Sequence, residues 1–117
     1  MPAVELRMPG TQPTTRTWFV DLGTEDVRLR CTYHRTGRIV DQFTVQLEVL
    51  LQANWHPVVR YDNAHGFSHR DTLHPDGSQD KSGLFFGDTN ETFIFAIEDL
   101  RTNWAAYRDR YLGEIKS

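Results

Sequence analysis

Residues 43–51, FTVQLEVLL, decide the fold class, because apolar and polar side chains alternate along most of the stretch. Phe43, Val45, Leu47 and Val49 share one phase, and the residues between them up to Glu48 are polar. A period of two is typical of a β-strand with one buried face and one solvated face. The stretch therefore predicts a central strand of an antiparallel sheet.

The same pattern extends outward on both sides of this strand. Residues 27–34 (VRLRCTYH) and 55–61 (WHPVVRY) predict its neighbours, and residues 18–20 and 67–74 predict two further extended segments. Turn-forming residues separate these stretches. Residues 78–82 are predicted to be a polar loop and residues 84–86 a short last strand, which makes five or six strands in all.

A helix is predicted over residues 90–112. Asp88, with Glu91 three residues on, has the form of a capping box. Apolar residues then recur at spacings of three and four up to Gly113, namely Phe93, Ile97, Leu100, Trp104, Tyr107 and Tyr111. The sequence thus predicts an α+β fold in which an antiparallel meander packs against one long C-terminal amphipathic helix.

Length and composition predict one globular domain. The chain has 117 residues, 38% of them hydrophobic and 25% charged. Residues 1–15, which are rich in proline and threonine, are expected to form a mobile N-terminal arm, and residues 16–117 the domain. A net charge of −3 argues against non-specific coating of DNA, which requires a strong basic excess.

The cellular compartment is predicted from the cysteine content and from the lengths of the apolar runs. Cys31 is the single cysteine, so no disulfide can form within the chain, and its phase predicts a packed core thiol. No apolar run approaches the roughly 20 residues that span a bilayer. These features predict a cytoplasmic protein with no membrane association.

Residues 58–76, VVRYDNAHGFSHRDTLHPD, concentrate the chemically active side chains. They hold three of the five histidines, two arginines and three aspartates. Histidine exchanges protons near neutral pH, and arginine stabilises charge on a phosphoryl group. The hypothesis is metal-independent cleavage of RNA without a cofactor, at a site comprising Arg60, Tyr61, Asp62, His65, His69, Arg70 and Asp71.

Each of these residues has an expected role. His65 and His69 would act as general base and general acid, and Arg60 or Arg70 would hold the phosphate. Tyr61 would orient the phosphate or donate a proton. The remaining members, Asp62 or Asp71, would orient an imidazole.

Two alternatives stand beside catalysis. If Phe67 and Leu73 point to the core, then His69 and Asp71 do so too and form a buried structural pair, which predicts a non-catalytic binding or interaction module. In that case Arg70 and His74 point the other way. The second alternative is a metal site formed by His65, His69, Asp71 and His74.

A basic surface is also predicted, on condition that the polar phases of neighbouring strands share one face. Such a surface would suit RNA or a phosphorylated ligand, and the alternative is a solvated face whose charge is offset by Glu25 and Glu48. Its residues are Arg28, Arg30, His34, His56 and Arg60.

Most of the chain from about residue 39 onward resembles an uncharacterised family of small prokaryotic proteins. The resemblance rests on Trp55, Pro57 to Asp62, Ala64-His65-Gly66, His69-Arg70-Asp71, His74 to Gly77, Asn103-Trp104 and Tyr107-Arg108. It implies no activity.

A more distant resemblance rests on Tyr61-Asp62-Asn63, Gly66 and His69, together with the order of a sheet followed by a helix. These features are similar to the centre of the TumE-type toxin components of toxin–antitoxin pairs. That resemblance implies a toxin that acts on RNA and has a cognate antitoxin protein as partner. A homodimer is compatible with the sequence.

Overall fold

Six strands pair in the order in which they occur along the chain, and each is antiparallel to the next. The computed structural model describes residues 12–64, 66–83 and 87–116. Its elements are β1 (Pro13–Asp21), β2 (Val27–Thr36), β3 (Ile39–Leu51), β4 (Asn54–Asp62), β5 (His69–Leu73), β6 (Gln79–Gly83) and α1 (Thr89–Ile115). The predicted α+β fold, an antiparallel meander packed against one C-terminal helix, is confirmed.

Helix α1 covers one face of the sheet. Its N-terminus is capped as predicted, because the Asp88 carboxylate accepts a hydrogen bond of 2.8 Å from the backbone N–H of Glu91. Its C-terminus lies at residue 115 instead of the predicted 112. Arg110 donates to the backbone carbonyls of Leu73 at 2.9 Å and Val58 at 3.1 Å, which holds the last turns on the sheet.

The hydrophobic core lies between α1 and the sheet. Its members include Leu29, Leu47, Val59 and Leu100, all of them buried. Cys31 is fully buried among them, and desolvation raises the pKa of its thiol to about 11. The prediction of a packed core thiol is therefore confirmed.

The strand register defines the two faces of the sheet. Leu29, Leu47 and Val59 are partners on neighbouring strands and lie beneath α1. Side chains alternate between faces along a strand, so the next residue of each strand lies on the opposite face, called the outer face here. One row of partners on the outer face crosses all six strands and comprises Phe19, Arg30, Gln46, Arg60, Asp71 and Lys81.

The last strand differs from its prediction. Strand β6 covers residues that were expected to form a loop, and all five of its residues are exposed. It has no apolar residue that could show a strand period, and it pairs with β5 through the backbone. The strand predicted at residues 84–86 lies outside the described residues.

The structure also bears on the predicted N-terminal arm and on the predicted absence of a membrane span. Residues 13–15, expected in the N-terminal arm, belong to β1, while residues 1–11 lie outside the described part. Within the described residues, no helix combines the length and apolar character that crossing a bilayer requires.

A register shift between Leu47 and Glu48 divides the predicted basic surface. Beyond the shift, His56 becomes the partner of Val49, a core residue, and so lies on the helix side. The other four residues of that surface keep the phase of the outer face: Arg28, Arg30, His34 and Arg60.

Candidate functional site

The sheet separates the predicted site residues into two groups. Tyr61 is the cross-strand partner of Arg70, and both lie on the helix side. The flanking pairs, Arg60 with Asp71 and Asp62 with His69, lie on the outer face. His65 lies outside the described residues.

A buried cluster forms where β4 and β5 meet on the outer face. It consists of Asp62, His69 and Asp71 and is called the His69 cluster below. The Nε2 atom of His69 lies 3.0 Å from Oδ1 of Asp62 and 3.7 Å from Oδ2 of Asp71. On the other side of the ring, Nδ1 lies 3.3 Å from the backbone carbonyl oxygen of Phe67. Two carboxylates therefore face one imidazole nitrogen.

His69 and Asp71 are buried on the same face of the sheet, as the alternation predicted. That face is the outer one, whereas the prediction placed them on the core side if Phe67 pointed to the core. His69 is 1% exposed, and Asp62 and Asp71 are buried. They face away from α1, so they are no part of the hydrophobic core. Phe67 is 49% exposed instead of buried, and its ring contacts that of His69 with centroids 5.7 Å apart. The condition that Phe67 points to the core is therefore not met, because Phe67 precedes β5 and is not constrained by the strand.

A separate chain of hydrogen-bonded polar residues crosses the outer face beside the cluster. Arg60 donates through Nε to Gln46 at 2.7 Å, and Gln46 donates to Glu48 at 2.5 Å. Glu48 also accepts from Arg28 at 2.8 Å. The charge of Arg28 is thus neutralised by a buried carboxylate, whereas among the described residues Arg30 has no ion pair.

Tyr61 and Arg70 belong to a network that joins the sheet to α1. The hydroxyls of Tyr61 and Tyr107 donate to the same oxygen of Asp99, at 2.7 and 2.8 Å. Arg70 lies 3.4 Å from the Tyr107 hydroxyl, and Asn103 donates to the other Asp99 oxygen. This network fixes the helix on the sheet.

Asp99 and the polar role of Tyr107 were not predicted from the sequence. A signal was present, because Asp99, Asn103 and Tyr107 recur at intervals of four and therefore share one side of a helix. Tyr107 was predicted to be a core residue because it lies in the apolar stripe of the helix. The partner of Asp99, Tyr61, lies 38 residues away in sequence.

Alkaline pH should weaken this network. Burial, and then the hydrogen bond to Asp99, raises the pKa of Tyr61 above its usual value of 10. A group whose pKa is higher in the folded state stabilises fully below its unfolded pKa and loses that contribution as pH rises past it. We expect the free energy of unfolding to fall above about pH 10, and to fall less steeply in Tyr61→Phe. Urea unfolding from pH 8 to 11 measures the free energy of unfolding of the wild type and of Tyr61→Phe. An equal dependence on pH in the two proteins would contradict the prediction.

His74 lies apart from the His69 cluster. Its Nε2 contacts Asp80 at 2.8 Å and its Nδ1 contacts Glu114 of α1 at 3.0 Å. These hydrogen bonds, first that of Asp80 and then that of Glu114, raise the pKa of His74 above its usual value. The predicted metal set of His65, His69, Asp71 and His74 is therefore not assembled among the described residues, and Asp62 accompanies His69 instead.

The fold and the site together define a class of protein: an α+β domain whose meander sheet is covered by a helix on one side and carries a buried acid–histidine cluster on the other. Residues 8–117 match the family described as a domain of unknown function, DUF7718, so the chain belongs to that family. Comparisons with curated proteins and with solved structures each give no match.

Proposed function

We propose that the outer face of the sheet binds single-stranded RNA. The observation that carries this proposal is the row of cross-strand partners that places Arg30, Arg60 and Lys81 on one face of an otherwise acidic protein. Phosphate groups are bound by such cations, and sheet faces are a common platform for unpaired nucleotides.

The cations of this row are available to a ligand. Arg30 and Lys81 are exposed, and neither makes an ion pair within the described part of the chain. Arg60 uses Nε to bind Gln46, which orients its guanidinium and leaves the two terminal nitrogens to donate. A depression of about 200 Å³ on this face is lined by Arg30, Thr32, Thr44 and Gln46, side chains that can donate to phosphate or to bases.

Two exposed aromatic rings lie on the outer face near the basic row. Phe19 is 52% exposed, and the Arg28 guanidinium lies between its ring and that of Trp55, 4.2 and 3.9 Å from the two centroids. Phe67 precedes β5, and its ring contacts that of His69. Exposed rings offer stacking surfaces for unpaired bases, which favours single-stranded over double-stranded RNA.

The geometry supports binding better than acid–base cleavage. A general acid or base must come within hydrogen-bond reach of the reacting oxygen. His69 is 1% exposed and is enclosed by carboxylates, so it has no direct path to a phosphate on the surface. Binding is therefore the proposed function, and cleavage is monitored in the same experiment.

Fluorescence anisotropy with a labelled 12-nucleotide RNA, in EDTA and over a series of salt concentrations, tests this proposal. Three phosphate contacts predict a slope of about −2 for log K against log salt, since each contact on a single strand contributes about −0.7. Arg30→Gln and Lys81→Gln should each weaken binding several-fold and each reduce the slope by about 0.7. Gel analysis of the same samples reports any cleavage.

The control is Arg101→Gln, which removes the same charge from an exposed position of α1 on the other side of the sheet. It should bind RNA as the wild type does. Equal losses of affinity in Arg30→Gln and Arg101→Gln would show that binding depends only on net charge and would contradict a site on the outer face. No binding of RNA by the wild type at low salt would reject the proposal.

A further inference from the structure

We propose that the His69 cluster binds one divalent transition-metal ion, such as Zn²⁺ or Mn²⁺, through Asp62, His69 Nε2 and Asp71. One ligand atom from each residue lies within 4.8 Å of the others. This inference does not depend on RNA binding, because it rests on the three side chains alone.

The hydrogen bond on the far side of the imidazole prepares Nε2 to be a ligand. His69 Nδ1 faces the carbonyl oxygen of Phe67, so a proton on Nδ1 has an acceptor. In that tautomer Nε2 presents a lone pair toward Asp62 and Asp71. A lone pair and two carboxylates favour a cation between them, and this cation is a proton when no metal is bound and a metal ion when one binds. Metal-binding histidines typically donate their other ring N–H to a carbonyl or carboxylate in this way.

The distances between the ligand atoms fit a metal. With bonds of about 2.1 Å, two ligands at a right angle lie about 3.0 Å apart and two at 120° lie about 3.6 Å apart. The separations of His69 Nε2 from Asp62 and from Asp71 are 3.0 and 3.7 Å. Both separations from Nε2 therefore fit two ligands of one ion, and one oxygen of each carboxylate lies within 4.8 Å of the other.

An oxygen of Asp71 provides independent support for the site. The Asp71 side chain is only 4% exposed, and its Oδ1 has no hydrogen-bond partner among the described residues. An unpaired buried carboxylate oxygen is costly. Its neighbour across the strands, Arg60, donates to Gln46 instead. Coordination of a metal through both oxygens of Asp71 would give Oδ1 a partner.

The other histidines near carboxylates lack this convergence. Asp80 and Glu114 contact opposite nitrogens of His74, so they cannot share one ion with it at a single ring atom. His34 contacts Asp41 alone at a partly exposed position. Within the described chain, a set of three converging ligands is found only in the His69 cluster.

The donor set indicates the class of metal. An imidazole nitrogen favours Zn²⁺, Mn²⁺ or Fe²⁺ over Ca²⁺ and Mg²⁺, which prefer oxygen alone. Three protein ligands leave one or more coordination positions for water. Asp62, whose side chain is 11% exposed, is the ligand closest to solvent and marks the side from which an ion would enter.

Isothermal titration calorimetry of metal-depleted protein with ZnCl₂, MnCl₂ and MgCl₂, without RNA, tests the proposal. We expect one Zn²⁺ or Mn²⁺ per chain, weaker or no binding of Mg²⁺, and a higher Tm in the presence of the bound ion. Asp71→Asn and Asp62→Asn retain side-chain size and should each weaken binding at least about tenfold. Asp62→Asn, at the more exposed position, keeps the test valid if Asp71→Asn fails to fold.

The matched control is His74→Gln, which alters a histidine–carboxylate contact outside the cluster and should bind metal as the wild type does. The proposal is rejected if the wild type binds neither Zn²⁺ nor Mn²⁺, if Asp62→Asn binds them with wild-type affinity, or if binding is lost in His74→Gln. None of these results bears on the RNA titration, which is carried out in EDTA.

Discussion

His69→Ala is expected to lower the free energy of unfolding by about 3–5 kcal/mol when measured in EDTA, because it removes one partner of a buried ionic cluster. The imidazole is the group that Asp62 and Asp71 both face, at 3.0 and 3.7 Å. Without it the two carboxylates would be buried beside each other. Urea unfolding followed by circular dichroism measures the loss.

A second substitution distinguishes electrostatic from packing effects. In the His69→Ala background, Asp71→Asn should restore part of the lost stability, because it removes one of the two uncompensated charges. A loss caused only by the missing ring volume would not be restored. The control His34→Ala removes a partly exposed histidine and should change stability little. Similar losses in His34→Ala and His69→Ala would contradict the assignment of a buried ionic cluster.

Asp99→Ala is expected to cost about 2–4 kcal/mol, because one carboxylate accepts the hydroxyls of both Tyr61 and Tyr107. Tyr61 is 1% exposed, so its hydroxyl would lose its acceptor without gaining water. The contact between α1 and β4 would be weakened in consequence. Thermal and urea unfolding of the variant measure the cost.

The neighbouring substitution Glu98→Ala provides the control, since Glu98 is exposed on the same helix and should tolerate alanine. A double-mutant cycle of Asp99→Ala with Tyr61→Phe should show strong coupling, because both changes remove the same hydrogen bond. Additive losses from the two substitutions would contradict a direct interaction between Tyr61 and Asp99.

The central strands and the helix could be predicted because their burial follows a period. Apolar and polar residues alternate between the core and the outer face over residues 43–49, and Leu100 recurs with Phe93 and Tyr111 at helical spacing. Strand β6 could not be predicted in this way. Its stability comes from backbone pairing with β5, and backbone pairing leaves no hydrophobic pattern in exposed residues.

The candidate site was located by its density of polar residues, but its division depends on strand register. Alternation correctly separated His69 and Asp71 from Arg70. It could not show which group faces α1, since both faces of β4 and β5 are largely buried. The register shift at Glu48 and the hydrogen bond from Tyr61 to Asp99 of the helix also depend on the tertiary structure, so the sequence pattern could not predict them.

By itself, the sequence determined that this chain forms an α+β meander with a capped C-terminal helix, because alternation and helical spacing are local consequences of which side chains must leave water. It also determined that residues 58–76 carry the polar chemistry. Only the tertiary structure decided which side chains meet. Antiparallel pairing of β4 with β5 places Asp62, His69 and Asp71 together on the outer face. The packing of α1 on the other face brings Tyr61 and Arg70 into contact with Asp99 and Tyr107 of the helix.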